Sequence, residues 1–273
     1  MVARYDNKPM TTLPCYFIEG NGKPILLIHG WAMDSSVWKF FREDFSADYR
    51  VIAVDLRGHG KSAALPGPYN LGRFAADIEA LVTDLNVHNA TAIGWSMGVS
   101  VLLKMCAQSS ARIDSLVFIS GTPSLIARDN YPHGVPRAIA YSLLRQLKRD
   151  FAAGMSNFYA QIFSDQGFNA GENEHIYSLV ADIRRAPQPH IACEALESLQ
   201  REDLRPLLNH ITLPSLFIHG ACDRICLPAA SAYMAQAVRN AQLAIIEGAG
   251  HAPFLTAADR VHRTVRTFIR QIQ

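Results

Sequence analysis

Gly94-Trp95-Ser96-Met97-Gly98 is the stretch on which the reading of this chain turns. It has the spacing G-x-S-x-G, and its flanks matter as much as its glycines. Residues 90–93 form a short, mostly apolar run that predicts a buried strand. Residues 99–107 are apolar at most positions, free of Gly and Pro, and predict a buried helix. Strand, sharp turn and helix are the setting in which such a pentapeptide lifts a serine hydroxyl clear of a sheet. A serine at so tight an apex is held in a strained backbone conformation, and side chains two residues to either side would collide. Gly94 and Gly98 remove those side chains. The helix N-terminus beneath the hydroxyl carries free N–H groups and partial positive charge, which suits a developing oxyanion.

A serine hydroxyl is a poor nucleophile until a base takes its proton, and the base needs a carboxylate to orient it. With the nucleophile on this kind of turn, the order along the chain is Ser, then Asp or Glu, then His. Asp223 lies four residues beyond a strand-like run at 215–219, and His251 follows another run that ends at Ile246. Loops at the carboxyl ends of parallel strands are where such sheets place their ligands. Ser96, Asp223 and His251 are therefore the candidate catalytic residues. An oxyanion needs two N–H donors. The backbone of Met97, directly after the serine, is one candidate, and that of Trp31, in the loop after the run 24–29, is the other. Trp31 is placed by position, and its indole is a candidate wall of the substrate pocket.

Strand-like runs at 15–19, 24–29, 49–54, 90–93, 115–120, 215–219 and 243–246 alternate with helical patterns. The clearest helix opens at Asn70, with Leu71, Phe74, Ile78, Leu81, Val82 and Leu85 on one face. Others are expected at 228–238 and 258–272. This alternation predicts an α/β fold, a mostly parallel sheet flanked by helices. From 122 to about 200 the alternation stops, and helical segments punctuated by five prolines replace it. The expectation is a core made of 1–121 and 201–273, with a helical lid inserted at 122–200.

Composition narrows the class. Hydrophobic content of 49% and charged content of 18% over 273 residues describe an ordinary globular chain. A net charge of +2 carries no signature of nucleic-acid binding. Five scattered cysteines form no disulfide framework. Cys222 and Cys226 flank Asp223, but no second Cys or His pair stands nearby at zinc spacing. With no dinucleotide fingerprint or phosphate loop, neither cofactor nor metal is expected. Residues 1–14 are polar and unlike a signal peptide, and no apolar run approaches bilayer length. The expectation is a cytoplasmic monomer without a membrane partner.

His29-Gly30-Trp31, the loop from Asp55 to Ser62, the serine turn, Gly220 to Asp223, and Gly250-His251 together resemble the α/β-hydrolase superfamily. The likeness runs from about residue 13 to the C-terminus. A narrower resemblance is to the biotin-pathway carboxylesterases that demethylate pimeloyl-[acyl-carrier protein] methyl ester. It is carried by His29-Gly30-Trp31, Gly94-Trp95-Ser96, Asp203-Leu204-Arg205 after Leu196-Glu197-Ser198-Leu199, and His251-Ala252-Pro253-Phe254. The resemblance implies the α/β-hydrolase fold and serine ester hydrolysis of an acyl-carrier-protein-linked or small ester. Val99 departs from it, standing where many members have glycine, so its side chain must be accommodated where helix and sheet pack closely. Val99-Ser100 also differs from the Gly-Arg of menaquinone-pathway relatives, and Ser96 from the nucleophilic Asp of epoxide hydrolases and dehalogenases. A short-chain esterase, a carbon–carbon-bond hydrolase or a non-enzymatic receptor on this fold would share the same motifs.

Asp55, Arg57 and His59 read as structural ties in this fold, and His29 and His219 as core or loop supports. On a helix opened by Pro136, Arg137, Arg145, Lys148 and Arg149 fall within one arc of roughly 120° at about 100° per residue. Ile139, Leu143, Leu144 and Leu147 occupy the other side. The apolar face is expected to pack over an acyl channel and the cationic face to meet an acidic carrier. A solvated face of an amphipathic helix is the plain alternative.

Overall fold

The computed structural model describes residues 4–5, 12–108, 111–163, 169, 171 and 173–272. Much of the polar stretch 1–14, and residues 164–168, 170 and 172 of the expected insertion, therefore lie outside the described residues. The described strands are β1 (Arg4–Tyr5), β2 (Tyr16–Glu19), β3 (Pro24–Ile28), β4 (Arg50–Val54), β5 (Ala90–Trp95), β6 (Ile113–Ile119), β7 (Ser215–Gly220) and β8 (Ala241–Ile246). They form one sheet in the order β1-β2-β4-β3-β5-β6-β7-β8. The first two pairings are antiparallel, and every pairing from β4 across to β8 is parallel.

The described helices are α1 (Lys39–Phe45), α2 (Leu71–Asp84), α3 (Met97–Gln108), α4 (Arg137–Arg149), α5 (Phe151–Ile162), α6 (Glu174–Val180), α7 (Pro189–Arg201), α8 (Pro228–Ala237), α9 (Pro253–Thr256) and α10 (Ala258–Gln271). Parallel strands covered on both faces have no wet side, so they read as unbroken apolar runs. Leu26 to Ile28, Val51 to Val54, and Leu216 to Ile218 are accordingly all buried. At the sheet edge β8 departs from this, and Leu243 is exposed. Asn70 caps α2 by accepting from the Arg73 N–H at 2.9 Å, which is why that helix starts where the sequence predicts.

Short α1 escapes sequence reading because its seven residues carry four charges, although Phe41 and Phe45, one turn apart, are buried and stacked. Between β6 and β7 run α4 to α7, with only isolated bridges among the described residues there. The two ends of this segment meet where the Leu204 N–H donates to the Pro123 carbonyl at 2.7 Å. The quoted Ser198 and Asp203-Leu204-Arg205 belong to the same joint. Ser198 Oγ accepts from the Leu71 N–H at the head of α2, and Arg205 pairs with Asp203 at 2.6 Å.

Candidate active site

Ser96 sits at the end of β5 with φ +53, in the left-handed region. Such a conformation is uncommon for a non-glycine residue and is held by its surroundings. A Cβ on Gly94 would lie 2.5 Å from the Gly98 carbonyl oxygen, and one on Gly98 would lie 2.3 Å from that of Ile28. No side chain fits at either place, so the glycines are steric requirements of the turn. Val99 is fully buried, and its room comes from the loop after β6. A Cβ on Gly121 would come within 2.5 Å of the Val99 side chain, so the bulk absent after β6 is present on α3.

His251 Nε2 lies 3.0 Å from Ser96 Oγ, and His251 Nδ1 lies 2.7 Å from Asp223 Oδ2. All three residues predicted from the sequence are thus joined in one hydrogen-bonded series. Asp223 Oδ1 accepts from the Ile225 and Cys226 N–H groups at 2.8 and 3.1 Å. Burial alone would push the Asp223 carboxyl up. The His251 and His219 imidazoles beside it outweigh that and hold it well below the usual carboxylate range. The Trp95 indole N–H donates to the His251 carbonyl at 2.8 Å, so the turn that carries the serine also holds the loop of the histidine. Glu247, the other acid near His251 in sequence, is exposed.

A cavity of about 200 Å³ opens on Ser96. Trp31 and Met97 line it from the core side, and Leu125, Leu143 of α4, Phe158 of α5 and Leu199 of α7 from the inserted segment. Among the described residues the N–H groups of Trp31 and Met97, both on this cavity, carry no hydrogen bond. The Trp31 indole donates to the Ala192 carbonyl of α7 at 2.8 Å and packs edge-on against Phe158 at 4.7 Å. Ile139 reaches the cavity while remaining 62% exposed. Leu144 and Leu147 are buried beneath α4.

The cationic arc on α4 is smaller than the sequence suggests. Arg137, Arg145 and Arg149 are exposed, but Lys148 is paired with Glu197 of α7 at 2.7 Å. That partner lies forty-nine positions away, outside the reach of a helical-wheel argument. Cys226 lines the cavity and Cys106 is buried, whereas Cys193 is only half-buried. Among the described residues no cluster of His, Cys, Asp and Glu is arranged to hold a metal ion. No helix among them is long and apolar enough to cross a membrane.

The conspicuous loop after β4 is structural. Arg57 grips Asp77 of α2 through two bonds of 2.6 and 2.8 Å, and Asp55 accepts from the Ser35 and Lys61 N–H groups. Behind it His29 and His59 are wholly buried, and burial lowers them to about 4 and about 3. His219, read from the sequence as a core or loop support, makes one contact that this reading did not foresee. His219 Nε2 lies 3.0 Å from the same Asp223 oxygen that His251 engages. The only sequence signal was its place four residues before the acid.

A family model described as alpha/beta hydrolase fold matches residues 23–258. A pimeloyl-[acyl-carrier protein] methyl ester esterase of Nitrosospira multiformis is 31% identical, over 92% of this chain and 96% of its own. The protein of that name from Xanthomonas oryzae pv. oryzae is 32% identical over 93% and 97%. Among solved structures, an esterase from Exiguobacterium antarcticum superposes with a TM-score of 0.86 at 26% identity, covering 94% of this chain and 96% of that one. With the serine turn, the parallel sheet and the order of strands all in agreement, the chain belongs to the alpha/beta hydrolase family.

Proposed function

We propose that the chain is a serine carboxylic-ester hydrolase working through Ser96, His251 and Asp223. The observation that carries this reading is the hydrogen-bonded series from Ser96 Oγ through the His251 ring to Asp223, at the wall of a largely apolar cavity. Ser96 Oγ attacks the ester carbonyl while His251 Nε2 takes its proton and then delivers it to the leaving alcohol. Asp223 holds the His251 tautomer and stabilises the imidazolium. The Trp31 and Met97 N–H groups receive the oxyanion. A water deprotonated by His251 then frees the acyl group from Ser96.

The proposed substrate is the methyl ester of a pimeloyl chain tethered to acyl-carrier protein, giving methanol and the free carboxylate in biotin synthesis. Support comes from relatives of that name aligned over most of the chain, and from a cavity whose apolar walls suit an extended acyl chain. Residues 122–200 act as the lid over a core of 1–121 and 201–273. Exposed Arg137, Arg145 and Arg149 beside Ile139 form the face that meets an acidic carrier. Lys148, held by Glu197, contributes less.

The test compares the carrier-linked ester with free dimethyl pimelate. Ser96→Ala is expected to cut both by roughly 10³-fold or more and to abolish fluorophosphonate labelling. Reversing Arg145 and Arg149 together should lower kcat/KM and its salt dependence on the carrier-linked ester alone. Equal losses on both esters would remove the carrier from the proposal, and near-normal turnover by folded Ser96→Ala would remove the nucleophile.

A further inference from the structure

His219 and His251 reach the same atom. His219 is the fifth residue of β7, fully buried, and its Nε2 stands 3.0 Å from Asp223 Oδ2 and 2.8 Å from the Cys226 carbonyl. Both neighbours of Nε2 are acceptors, so Nε2 must carry the proton in the neutral ring. Nδ1 is then bare, and it faces Ser231 Oγ of α8 at 2.7 Å, which donates to it. Ser231 is also fully buried. The result is a continuous series in which Ser231 donates to His219, His219 to Asp223, and Asp223 accepts in turn from His251, itself in contact with Ser96.

With two N–H donors on each oxygen, the Asp223 carboxylate has no rotational freedom left. We propose that His219 is a positioning residue: it fixes Asp223 Oδ2 and draws off part of the negative charge that His251 meets there. This rests on the triad reading above. The titratable groups that bear on Asp223 are His251, His219 and the Cys226 thiol, while exposed Arg224 follows it in the chain. Burial pushes the Cys226 thiol far up and keeps it neutral, so that group does not titrate alongside the others.

The sign of the effect follows from the charge on one atom. Without the His219 donor, Oδ2 is more negative and holds the His251 imidazolium more tightly. The acid limb of kcat/KM on a nitrophenyl ester is therefore expected to move up in His219→Phe, by about half to one pH unit for one lost hydrogen bond. His219→Gln, whose amide N–H reaches the same oxygen, should bring the limb back towards the wild-type position. Ser231→Ala removes the donor that fixes the His219 tautomer and should move the limb the same way by less. A residue that merely supports the loop would lower activity evenly across pH.

Nitrogen-15 NMR of the wild-type imidazoles reads the series without turnover. At about pH 8, where a free imidazole is neutral, His219 should carry its proton on Nε2. An Nδ1–H tautomer would overturn the proposal, as would a limb unmoved in both His219→Phe and Ser231→Ala, or moved equally by His219→Gln and His219→Phe. If His219→Phe does not fold, Ser231→Ala and the tautomer decide. Retained turnover in Ser96→Ala would instead overturn the triad reading, with the tautomer still reporting the contact.

Discussion

Asp223 and Glu247 both stand in loops after strands, yet it is Asp223 that reaches the His251 ring. Asp223 is buried, with Oδ2 2.7 Å from the imidazole, whereas Glu247 faces solvent. Asp223→Asn is expected to cost roughly 10³- to 10⁴-fold in kcat, because an amide can present its N–H and select the wrong tautomer. Glu247→Gln should turn over near the wild-type rate, and steady-state kinetics on one nitrophenyl ester rank the two. The reverse ranking would mean that the acid is misassigned. The juxtaposition of Ser96, Asp223 and His251 was legible in the sequence because each stands within a few residues of a strand end, with glycines at the turns. The contacts of His219 with Asp223 and of Lys148 with Glu197 were not. They depend on how separate elements meet, and no local pattern encodes that.

At the scale of elements, the fit of α3 against β6 depends on a complementary pair. Val99 fills the space that Gly121 leaves, and an added methyl at Gly121 would lie 2.5 Å from the Val99 Cβ. Gly121→Ala alone should therefore destabilise by about 1–3 kcal/mol through overpacking. Val99→Gly alone loses buried apolar contact and adds a helix-weakening glycine. The double variant Val99→Gly/Gly121→Ala moves the bulk to the other element, so it should be more stable than the sum of the two by about 1 kcal/mol or more. Urea unfolding of the four proteins measures this coupling, and strict additivity would sink it. The sequence posed the question at Val99 but not the answer, since Gly121 lies twenty-two residues on. Long α2 and α10 were readable from their periodicity, whereas α1 and two-residue β1 are too short to establish one.

For the molecule as a whole, two buried imidazoles set a limit on acid stability. An unfolded histidine takes up a proton near pH 6.5, whereas folded His29 and His59 resist until about 4 and about 3. Between those limits the unfolded chain binds more protons, so stability falls as the pH is lowered through this window. Tm followed from pH 7 to pH 4 should decline, and His59→Phe should flatten the decline. An unchanged slope would show that His59 contributes nothing to it. The same interior has an optical side. Of the three tryptophans, Trp38 packs on Phe254 and Trp95 is bonded to the His251 carbonyl, both deep in the core. Trp31 instead has its indole N–H on α7 and its ring against α5. Lifting those helices would remove both partners of Trp31 and admit water to its ring. Opening of the proposed lid would thus be readable in the native chain as a red shift in emission, without any attached dye.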